Sequence, residues 1–278
     1  AFALSNDEQA FVDGPVEKLC EMLDDWQIQQ DRDLPVEVWS FMKDEKFFGL
    51  VIPKEYGGLG FSASGHSAVV TKIATRSIAA AVTVMVPNSL GPGELLLHYG
   101  TDEQKKKYLP NLANGTDIPC FALTGPEAGS DAGAMQSYGT VVKRKIKGKN
   151  VLGISLDFNK RYITLAPVAT LIGLAFKLRD PEHLLGEEED RDVFIPVSSI
   201  IGAENGIGNG WRMLVESLAA GRSISLPSMS VGAAQLSTRV CGAYATIREQ
   251  FDTPIGRFEG VEELLARIAG YTYMMDAT

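Results

Sequence analysis

The hydrophobic periodicity of this chain changes twice along its length, and this change constrains the fold more than any other feature. Residues 1–119 follow helical spacing, residues 120–203 have the composition of strands, and residues 204–278 return to helical spacing. A helical stripe and a strand face need different packing partners, so each segment is expected to build its own layer. The sequence therefore predicts an α+β fold of three domains with these boundaries.

Capping signals mark two helices of the N-terminal domain. Ser5 is followed by Glu8, and Thr101 is followed by Gln104, and both pairs have the spacing of a capping box. Pro110 is expected to end the second of these helices, because proline lacks the N–H group that a helix interior uses.

No membrane-spanning segment is predicted. The best apolar run, Ile78–Val86, lies within a predicted helix of small residues over 74–86 and ends at Pro87. A membrane span needs about 20 apolar residues, and this run is much shorter.

Strand signals dominate the middle domain. The stretch Tyr138–Ile154 alternates around Lys147-Gly148-Lys149, as expected of a hairpin. The stretch Arg161–Leu178 is rich in β-branched residues and is predicted to be extended, with Pro167 limiting its pairing. The middle domain is therefore predicted to be built around a sheet.

The last domain is predicted to contain three helical stretches. One begins after Gly210, a longer one covers about 231–250, and the third carries an apolar stripe. The stripe consists of Val261, Leu264, Leu265, Ile268, Ala269, Tyr271 and Met275. Because an amphipathic helix must bury its apolar face, residues outside this sequence or another subunit are expected to cover it.

Charge and cysteine content exclude several functions. The net charge is −9, from 26 basic and 35 acidic residues, whereas nucleic-acid binding needs a clustered basic surface. Cys20, Cys120 and Cys241 are odd in number and form no CxxC, so they are expected to be reduced thiols. The three histidines lack metal-ligand spacing, and no metal site is predicted.

The segment Phe121–Asp131 is the strongest candidate for a ligand site. A short apolar run enters a turn with Gly125 and Pro126 and ends in Ser130 and Asp131. Exposed backbone N–H groups in such a turn can bind an anion or the polar edge of a heterocycle. A tight turn in which Ser130 or Asp131 caps the following residues explains the same pattern.

Four motifs occur in a fixed order, and together they resemble the acyl-CoA dehydrogenase family. They match its flavin-binding turn, its aromatic-Ile-Thr segment, the entry to its C-terminal helical domain and its Arg-x-x-Phe motif. The matching residues are Phe121–Asp131, Lys160–Thr164, Gly208–Leu214 with Gly221-Arg222, and Arg248–Phe251 with Ile255-Gly256. The resemblance covers essentially the whole chain and implies that the last domain is a partial helical bundle.

Further stretches most resemble the bacterial family members that handle medium- and long-chain acyl-CoA in fatty-acid β-oxidation. These stretches are Val86–Gly91, Leu95–Gly100 and Asn159–Pro167. The resemblance implies FAD-dependent α,β-dehydrogenation of medium- or long-chain acyl-CoA to trans-2-enoyl-CoA.

An FAD site is implied by the same resemblance. The residues implied to contact FAD are Phe121, Leu123, Thr124, Gly129, Ser130, Tyr162, Ile163, Thr164, Arg248 and Phe251. The Thr124 hydroxyl is implied to bond the pyrimidine edge of the flavin, where negative charge collects on reduction. Tyr162 is implied to pack against the ring, Thr164 to lie near the hydride acceptor N5, and Arg248 and Phe251 to reach FAD of a neighbouring subunit.

Ser130 and Arg222 match positions that contact acyl-CoA in the family. From the residues alone, structural roles remain open for several of these positions: Thr164 as a strand threonine, Arg222 as the partner of a carboxylate, Arg248 as a surface arginine and Phe251 as a core residue.

Partners and competing functions follow from the resemblance. It implies an acyl-CoA substrate, an electron-transfer flavoprotein as electron acceptor and a homo-oligomer, either a dimer or a tetramer. The expected location is the cytoplasm, with a peripheral position at the inner membrane as an alternative. The competing functions are an acyl-CoA oxidase, a non-catalytic relative that binds acyl-CoA or a protein, and a helical interaction module with a β insert.

The sequence departs from the family at the catalytic base. Most members use a Glu on a later segment, beyond the position of Thr278, and a minority use a residue just before the position of Arg222. Ala220 and Gly221 stand at the second place, and neither can take a proton. No catalytic residue is therefore assigned, and the general base is expected beyond Thr278.

Smaller departures affect the cofactor site and the sheet. Glu127 and Asp252 stand where the family usually has glycine, which affects how closely the backbone can approach FAD. Between Gly186 and Asp192, an acidic stretch stands where further strand sequence is expected.

Overall fold

A computed structural model describes residues 3–89, 91–146, 149–184, 191–194 and 200–278. For residues 146, 149, 191–194, 204 and 218–222 it describes the backbone alone. Contacts group the chain into two compact units. The helical unit comprises Ala1–Glu45, Phe61–Val84 and Arg222–Thr278, and the sheet unit comprises Lys46–Gly60 and Met85–Gly221. These two units do not test the predicted domain boundaries after residues 119 and 203, so the three-domain division remains a prediction.

The α-helices contain more of the described residues than the strands do. They are α1 (Asn6–Phe11), α2 (Glu17–Met22), α3 (Asp25–Asp31), α4 (Val36–Asp44), α5 (Ala63–Ala74), α6 (Ile78–Ser89), α7 (Pro92–Tyr99), α8 (Asp102–Ala113), α9 (Gly210–Ile247) and α10 (Glu259–Ala277). In the described part of the chain, none of these helices is both long and apolar enough to cross a membrane.

The start of α1 is bonded to the start of α5 through one buried carboxylate. The predicted capping box is confirmed, because Ser5 caps the Glu8 amide and the Glu8 carboxylate accepts from the Ser5 amide at 2.8 Å. The same carboxylate accepts from the Ser62 amide at 2.7 Å. Burial acts to raise the pKa of Glu8, but the hydrogen bonds from Ser62 and Ser5 outweigh it and lower the pKa to about 2.

Two predicted helix boundaries in the N-terminal half are wrong. The capping box of Thr101 does begin α8, but the helix continues past Pro110 to Ala113. Leu109, Leu112 and Ala113 are buried, and their burial outweighs the hydrogen bond that proline cannot make.

The helix predicted over 74–86 is interrupted. Helix α5 ends at Ala74 and α6 begins at Ile78. The hydroxyl of Thr75 donates to the Lys72 carbonyl, and the hydroxyl of Ser77 accepts from the Ala80 amide, so polar side chains satisfy the two helix ends.

A five-stranded sheet lies in the sheet unit. Its strands are β1 (Pro119–Ala122), β2 (Tyr138–Ile146), β3 (Lys149–Asp157), β4 (Leu171–Arg179) and β5 (Arg191–Phe194). The predicted hairpin is confirmed, because β2 and β3 pair antiparallel in a register that joins Ile146 to Lys149. Strand β4 pairs parallel with β1 and β2 and antiparallel with β5. The stretch Gly186–Asp190 lies outside the described residues.

The two faces of the sheet support separate clusters of buried side chains. One cluster joins the sheet to α7, α8 and α9 through residues such as Leu96, Leu109 and Leu214. The other cluster, which includes Ala122 and Phe176, packs against the opposite face. Strand β1 therefore lies between two cores, and its alternate side chains point into different ones.

The C-terminal helices differ from prediction in number. Residues 210–247 form the single helix α9, which includes Pro227, rather than two helices. Helix α10 pairs with α9 through the hydroxyls of Thr238 and Thr272, which are 3.0 Å apart. No residue of α10 is fully buried, and Leu264 and Tyr271 of its predicted stripe are exposed.

Candidate functional site

A tight turn follows β1 and is referred to here as the Thr124 turn (Leu123–Ala128). Gly125 and Ala128 exchange two backbone hydrogen bonds, with N···O distances of 3.1 and 3.3 Å. These bonds close the turn and place Pro126 and Glu127 at its exposed tip. Thr124 follows the strand instead of belonging to it, because β1 ends at Ala122.

Residues 160 and 161 bind the Thr124 turn from a distant part of the chain. The Lys160 ammonium donates to the Leu123 carbonyl at 2.8 Å, and the Arg161 amide donates to the Thr124 carbonyl at 3.2 Å. The Arg161 guanidinium donates to the Pro126 carbonyl at 2.9 Å. Three hydrogen bonds, two of them from charged groups, therefore hold three carbonyls of this turn.

The Lys160 side chain is half-buried as a result of this contact. Burial lowers the pKa of its ammonium below the usual lysine range. A buried cation needs a hydrogen-bond acceptor, and the Leu123 carbonyl supplies one. The contact fixes the backbone immediately before Thr124.

The 160–164 segment is a turn and does not form the predicted strand. Tyr162 has a φ of 58° and Leu165 has a φ of 63°, and such left-handed residues interrupt strand pairing. Pairing with the sheet begins only at Leu171. Left-handed non-glycine residues are uncommon and concentrate at functional sites, so the geometry makes this segment a candidate for function.

The three residues of this segment that were predicted to contact a cofactor lie in different environments. Tyr162 is 83% exposed, with the Arg161 guanidinium 5.1 Å from its ring centre. Ile163 is half-buried against the cluster that includes Phe176. Thr164 is exposed, and its hydroxyl has no hydrogen-bond partner among the residues that the structure describes.

A cavity of about 440 Å³ opens beneath the Thr124 turn. Its walls are the turn itself, the residues that lead into β2 and the end of β3. Tyr138 in this wall donates to the Asp157 carboxylate at 3.0 Å and carries the Arg179 guanidinium 4.1 Å from its ring centre. A volume of this size is within the range of small-molecule sites.

Two family models match this chain. The N-terminal domain model of acyl-CoA dehydrogenases matches residues 6–116, and the C-terminal domain model of the same family matches residues 208–278.

Proteins of known sequence agree with these matches. A 3-(aryl)acrylate reductase of Clostridium sporogenes is 30% identical over 272 residues, which are 87% of this chain and 69% of the relative. An acyl-CoA dehydrogenase of Bacillus subtilis is 28% identical over 268 residues, 87% of this chain and 68% of that protein.

This chain belongs to the acyl-CoA dehydrogenase family.

Members of this family are FAD-dependent oxidoreductases that act on CH–CH groups. The fold agrees: the solved structure of butyryl-CoA dehydrogenase from Megasphaera elsdenii superposes with a TM-score of 0.76 at 20% identity and covers 99% of this chain and 78% of that one. The helix–sheet–helix order predicted from the sequence is therefore confirmed.

The donors around the Thr124 turn fit the flavin cofactor of the family. The hydroxyls of Thr124 and Ser130 form no hydrogen bond with any described residue. A Cβ placed on Gly129 would meet no atom within 4 Å, so the backbone there is open to a ligand. Free hydroxyls beside an accessible backbone are the groups that bind the polar edge of a heterocycle or a phosphate.

Phe121 of β1 and Leu123 of the Thr124 turn pack on the same side, against the helices. Both are half-buried and contact the cluster that includes Leu96 and Leu214. In the paired strand, Gly173 stands opposite Phe121, and a Cβ there would lie 3.0 Å from the phenylalanine ring. Glycine at this position therefore leaves room for the ring.

Arg248 and Phe251 lie in a short hairpin at the end of α9, formed by β6 (Glu249–Gln250) and β7 (Thr253–Pro254). Phe251 is 91% exposed. Among the described residues, its one ring contact is with the edge of Phe258, and the ring centres are 6.3 Å apart. Arg248 is exposed, and its guanidinium has no partner among the described residues.

The two family glycines that this chain replaces have different backbone conformations. Asp252 has a φ of 58°, as a two-residue hairpin turn requires, and asparagine, aspartate and glycine are the residues that tolerate it. Glu127 does not have a positive φ, so its position in the turn does not require glycine.

The predictions for Ala220, Gly221 and Arg222 fall on side chains that the structure does not describe. Ala220, Gly221 and Arg222 belong to α9, but their side chains lie outside the description. The predicted contact between Arg222 and acyl-CoA remains a prediction.

Sequence reasoning missed two groups of polar residues in the sheet unit. The first is the contact of Lys160 and Arg161 with the Thr124 turn. The only sequence signal for it was the presence of these two basic residues directly before Tyr162. The second is the half-buried carboxyl of Glu94 on α7, whose pKa burial raises to about 7. No spacing rule distinguishes Glu94 from an exposed helix glutamate.

Proposed function

We propose that this protein binds FAD and catalyses the α,β-dehydrogenation of acyl-CoA to trans-2-enoyl-CoA. The observation that carries the proposal is the contact of Lys160 and Arg161 with the Thr124 turn. It brings together two sequence motifs that the family uses for flavin, although they are far apart in the chain. Membership of the family supplies the reaction class.

In this proposal the two turns hold different parts of the cofactor. Phe121, Leu123, Gly129 and Ser130 line the ring and the pyrophosphate, and the Thr124 hydroxyl donates to the pyrimidine edge. A donor at that edge stabilises negative charge in the reduced state. Bound FAD supplies the hydride acceptor.

The second segment completes this half of the site. Tyr162 packs against the ring, Ile163 anchors the segment to the core, and the Thr164 hydroxyl donates a hydrogen bond near the hydride acceptor. The exposure of Tyr162 and the unpartnered hydroxyl of Thr164 among the described residues support these roles.

The substrate is proposed to be a medium- or long-chain acyl-CoA thioester of fatty-acid β-oxidation, with Ser130 and Arg222 in contact with it. Hydrogen bonds to the thioester carbonyl lower the cost of removing the α-proton, because they stabilise the developing enolate charge. A relative that is named for an arylacrylate leaves an aryl-substituted acyl group as the competing substrate.

The general base is proposed to lie outside the 278 residues. Ala220 and Gly221 have no side chain that can accept a proton. A carboxylate in a closed, water-poor pocket fits the task, because desolvation raises its pKa towards neutrality.

Assembly and partners are part of the same proposal. Arg248 and Phe251 reach the FAD of a neighbouring subunit in a homo-oligomer, either a dimer or a tetramer. An electron-transfer flavoprotein accepts the electrons, and the protein acts in the cytoplasm or peripherally at the inner membrane. The division into domains 1–119, 120–203 and 204–278 also belongs to this proposal.

An absorbance spectrum of the purified full-length protein tests the proposal. We expect the visible bands of a bound flavin, and we expect a long-chain acyl-CoA to bleach them without oxygen. A colourless protein that does not take up added FAD would contradict the proposal. Bound flavin that no acyl-CoA bleaches would instead identify a non-catalytic relative, and rapid reoxidation by oxygen would identify an oxidase.

Thr164→Val tests the role of that hydroxyl. The rate of flavin reduction should fall by about tenfold, while the Kd of acyl-CoA changes little, because the hydroxyl acts on developing charge. Thr116→Val, at another exposed threonine, is the matched control. Unchanged reduction kinetics in Thr164→Val would remove Thr164 from the mechanism.

A further inference from the structure

A small cavity lies beside β1, on the face of the strand that packs against α7 and α9. Its volume is about 10 Å³, which is the room that roughly one water molecule takes. Its walls include Ser89, Glu94, Leu95, Phe121, Leu214 and Ser217, and it is referred to here as the Glu94–Ser217 cavity.

Ser217 presents a buried hydroxyl to this cavity. The residue is 8% exposed, and its Oγ forms no hydrogen bond with any residue that the structure describes. Buried polar atoms in folded proteins are nearly always satisfied, so this hydroxyl points to a bound group. Ser89 in the same wall already donates to the Met85 carbonyl at 2.8 Å, which leaves it only as an acceptor.

Glu94 supplies the second polar group. Its side chain is 17% exposed, and the imidazole Nε2 of His98 lies 4.0 Å from its Oε1. Burial raises the pKa of the Glu94 carboxyl to about 7, so that near neutral pH it can donate as well as accept. Of the other charged groups nearby, Arg212 pairs with Glu216, and the Glu216 carboxylate also accepts a hydrogen bond from the Tyr99 hydroxyl.

The cavity lies beside the strand that leads into the Thr124 turn. Phe121 lines the cavity, and Leu123, the first residue of the turn, packs against the same cluster of buried side chains as Phe121. An acyl group that lies beside the turn and extends along β1 towards Phe121 would reach this cavity.

We propose that the Glu94–Ser217 cavity is a subsite that binds one hydroxyl group carried by the acyl moiety of the substrate. A hydroxyl donates one hydrogen bond and accepts others, and Glu94 and Ser217 together offer both kinds of partner. The side chains of Leu95, Phe121 and Leu214 form the apolar part of the wall. The inference rests on the proposed function, because it requires an acyl-CoA substrate.

Terminally hydroxylated acyl-CoA thioesters and their unsubstituted analogues of equal carbon number test the subsite. The probe is the rate of anaerobic flavin bleaching by each pair across a series of chain lengths. At the chain length that reaches the cavity, we expect the hydroxylated member to reduce the flavin with a second-order rate constant about tenfold above that of its analogue. Such a ratio is typical of one well-placed hydrogen bond.

Two variants locate the effect. Glu94→Leu and Ser217→Ala should each abolish the preference for the hydroxylated member, whereas Ser237→Ala, at an exposed serine of α9, should keep it. Ser217→Ala should also be at least as thermally stable as the original protein, because it removes an unsatisfied buried hydroxyl. The substrate preference and the thermal stability of Ser217→Ala can both be measured even if Glu94→Leu fails to fold.

The outcomes separate the two proposals. If no acyl-CoA bleaches the flavin, the proposed function is wrong. If unsubstituted acyl-CoA bleaches it and no hydroxylated analogue is preferred at any length, the cavity binds only water and the subsite is refuted. A preference that survives in Ser217→Ala and Glu94→Leu also refutes it, because the hydroxyl then binds elsewhere.

Discussion

In the Thr124 turn, Lys160 and Arg161 bond the carbonyls of three turn residues, whereas in the β6–β7 hairpin Arg248 and Phe251 extend away from the chain that carries them. The first region is organised by hydrogen bonds within the sheet unit. The second region has defined backbone geometry, but among the described residues the Arg248 guanidinium has no partner and Phe251 contacts Phe258 only by a ring edge. The difference teaches that one part of the proposed cofactor site is held by hydrogen bonds within the chain, while the other has no such support among the described residues.

Lys160→Met is the change that should break the preformed region. It removes a charged hydrogen bond and leaves the half-buried Leu123 carbonyl without a donor, which costs about 1.5–3 kcal/mol. The Kd of FAD should rise about tenfold or more, as measured by fluorescence titration of the apoprotein. Lys145→Met, at an exposed lysine of β2, is the control. Equal FAD affinity in both variants would show that the turn needs no such support.

Glu8→Gln tests whether stability and cofactor binding belong to different regions. The variant weakens the hydrogen bonds from Ser5 and Ser62 in the helical unit and should lower the free energy of unfolding by about 1–3 kcal/mol. The Kd of FAD should stay within about twofold, because the Thr124 turn lies in the sheet unit. Denaturant unfolding and FAD titration measure the two quantities, and a parallel loss of both would contradict the separation.

Acid unfolding gives an independent measurement on the same carboxylate. The folded pKa of Glu8 is about 2, below its ordinary value of 4.5, so its contribution is fully present above pH 4.5 and is lost as pH falls towards 2. The stability difference between the original protein and Glu8→Gln should therefore shrink over this window. A constant difference down to pH 2 would mean that another group carries the effect.

Arg248→Ala should distinguish the exposed region from the preformed one. Because the guanidinium has no partner among the described residues, the free energy of unfolding should change by no more than about 0.5 kcal/mol. FAD affinity should fall about fivefold, and oligomer mass measured by light scattering should fall with it. Full FAD occupancy in an unchanged oligomer would remove Arg248 from the cofactor site.

The two replaced glycines give the smallest expected effects, and their signs are opposite. Asp252→Gly should raise the free energy of unfolding by about 0.5 kcal/mol, because glycine adopts the positive φ of this hairpin without strain. Glu127→Gly should lower it by about 0.5 kcal/mol, because it adds backbone freedom where none is needed. Thermal denaturation of both variants checks the pair, and equal signs would contradict the assigned backbone conformations.

Local signals in the sequence predicted much of the fold correctly. Both capping boxes and the β2–β3 hairpin were found, since each depends on residues within a few positions of one another. The boundaries at Pro110 and Ser77 were wrong, because burial and side-chain capping decided the outcome there, and the predicted break within α9 was also wrong. Tertiary contacts of this kind are not encoded in local periodicity.

The candidate site was predictable as motifs, but its supporting contacts were not. The resemblance assigned Thr124 and Thr164 before any geometry was known, and their cofactor contacts remain predictions. The expectation that Thr164 lies in a strand was wrong, because left-handed residues at 162 and 165 make a turn there. The bonds made by Lys160 depend on chain folding over 37 residues, and no sequence pattern specifies such a distance.

The parallel pairing of β1 with β4 has a consequence for the order in which the protein folds. Residues Ile118 and Thr170, which are bonded at the start of this pair, are 52 positions apart, and the whole β2–β3 hairpin lies between them. Hairpins close within microseconds, whereas contacts between distant strands must first overcome the entropy of a large loop. The hairpin should therefore form early. The Thr124 turn should reach its native conformation late, after β4 has been synthesised and has paired with β1.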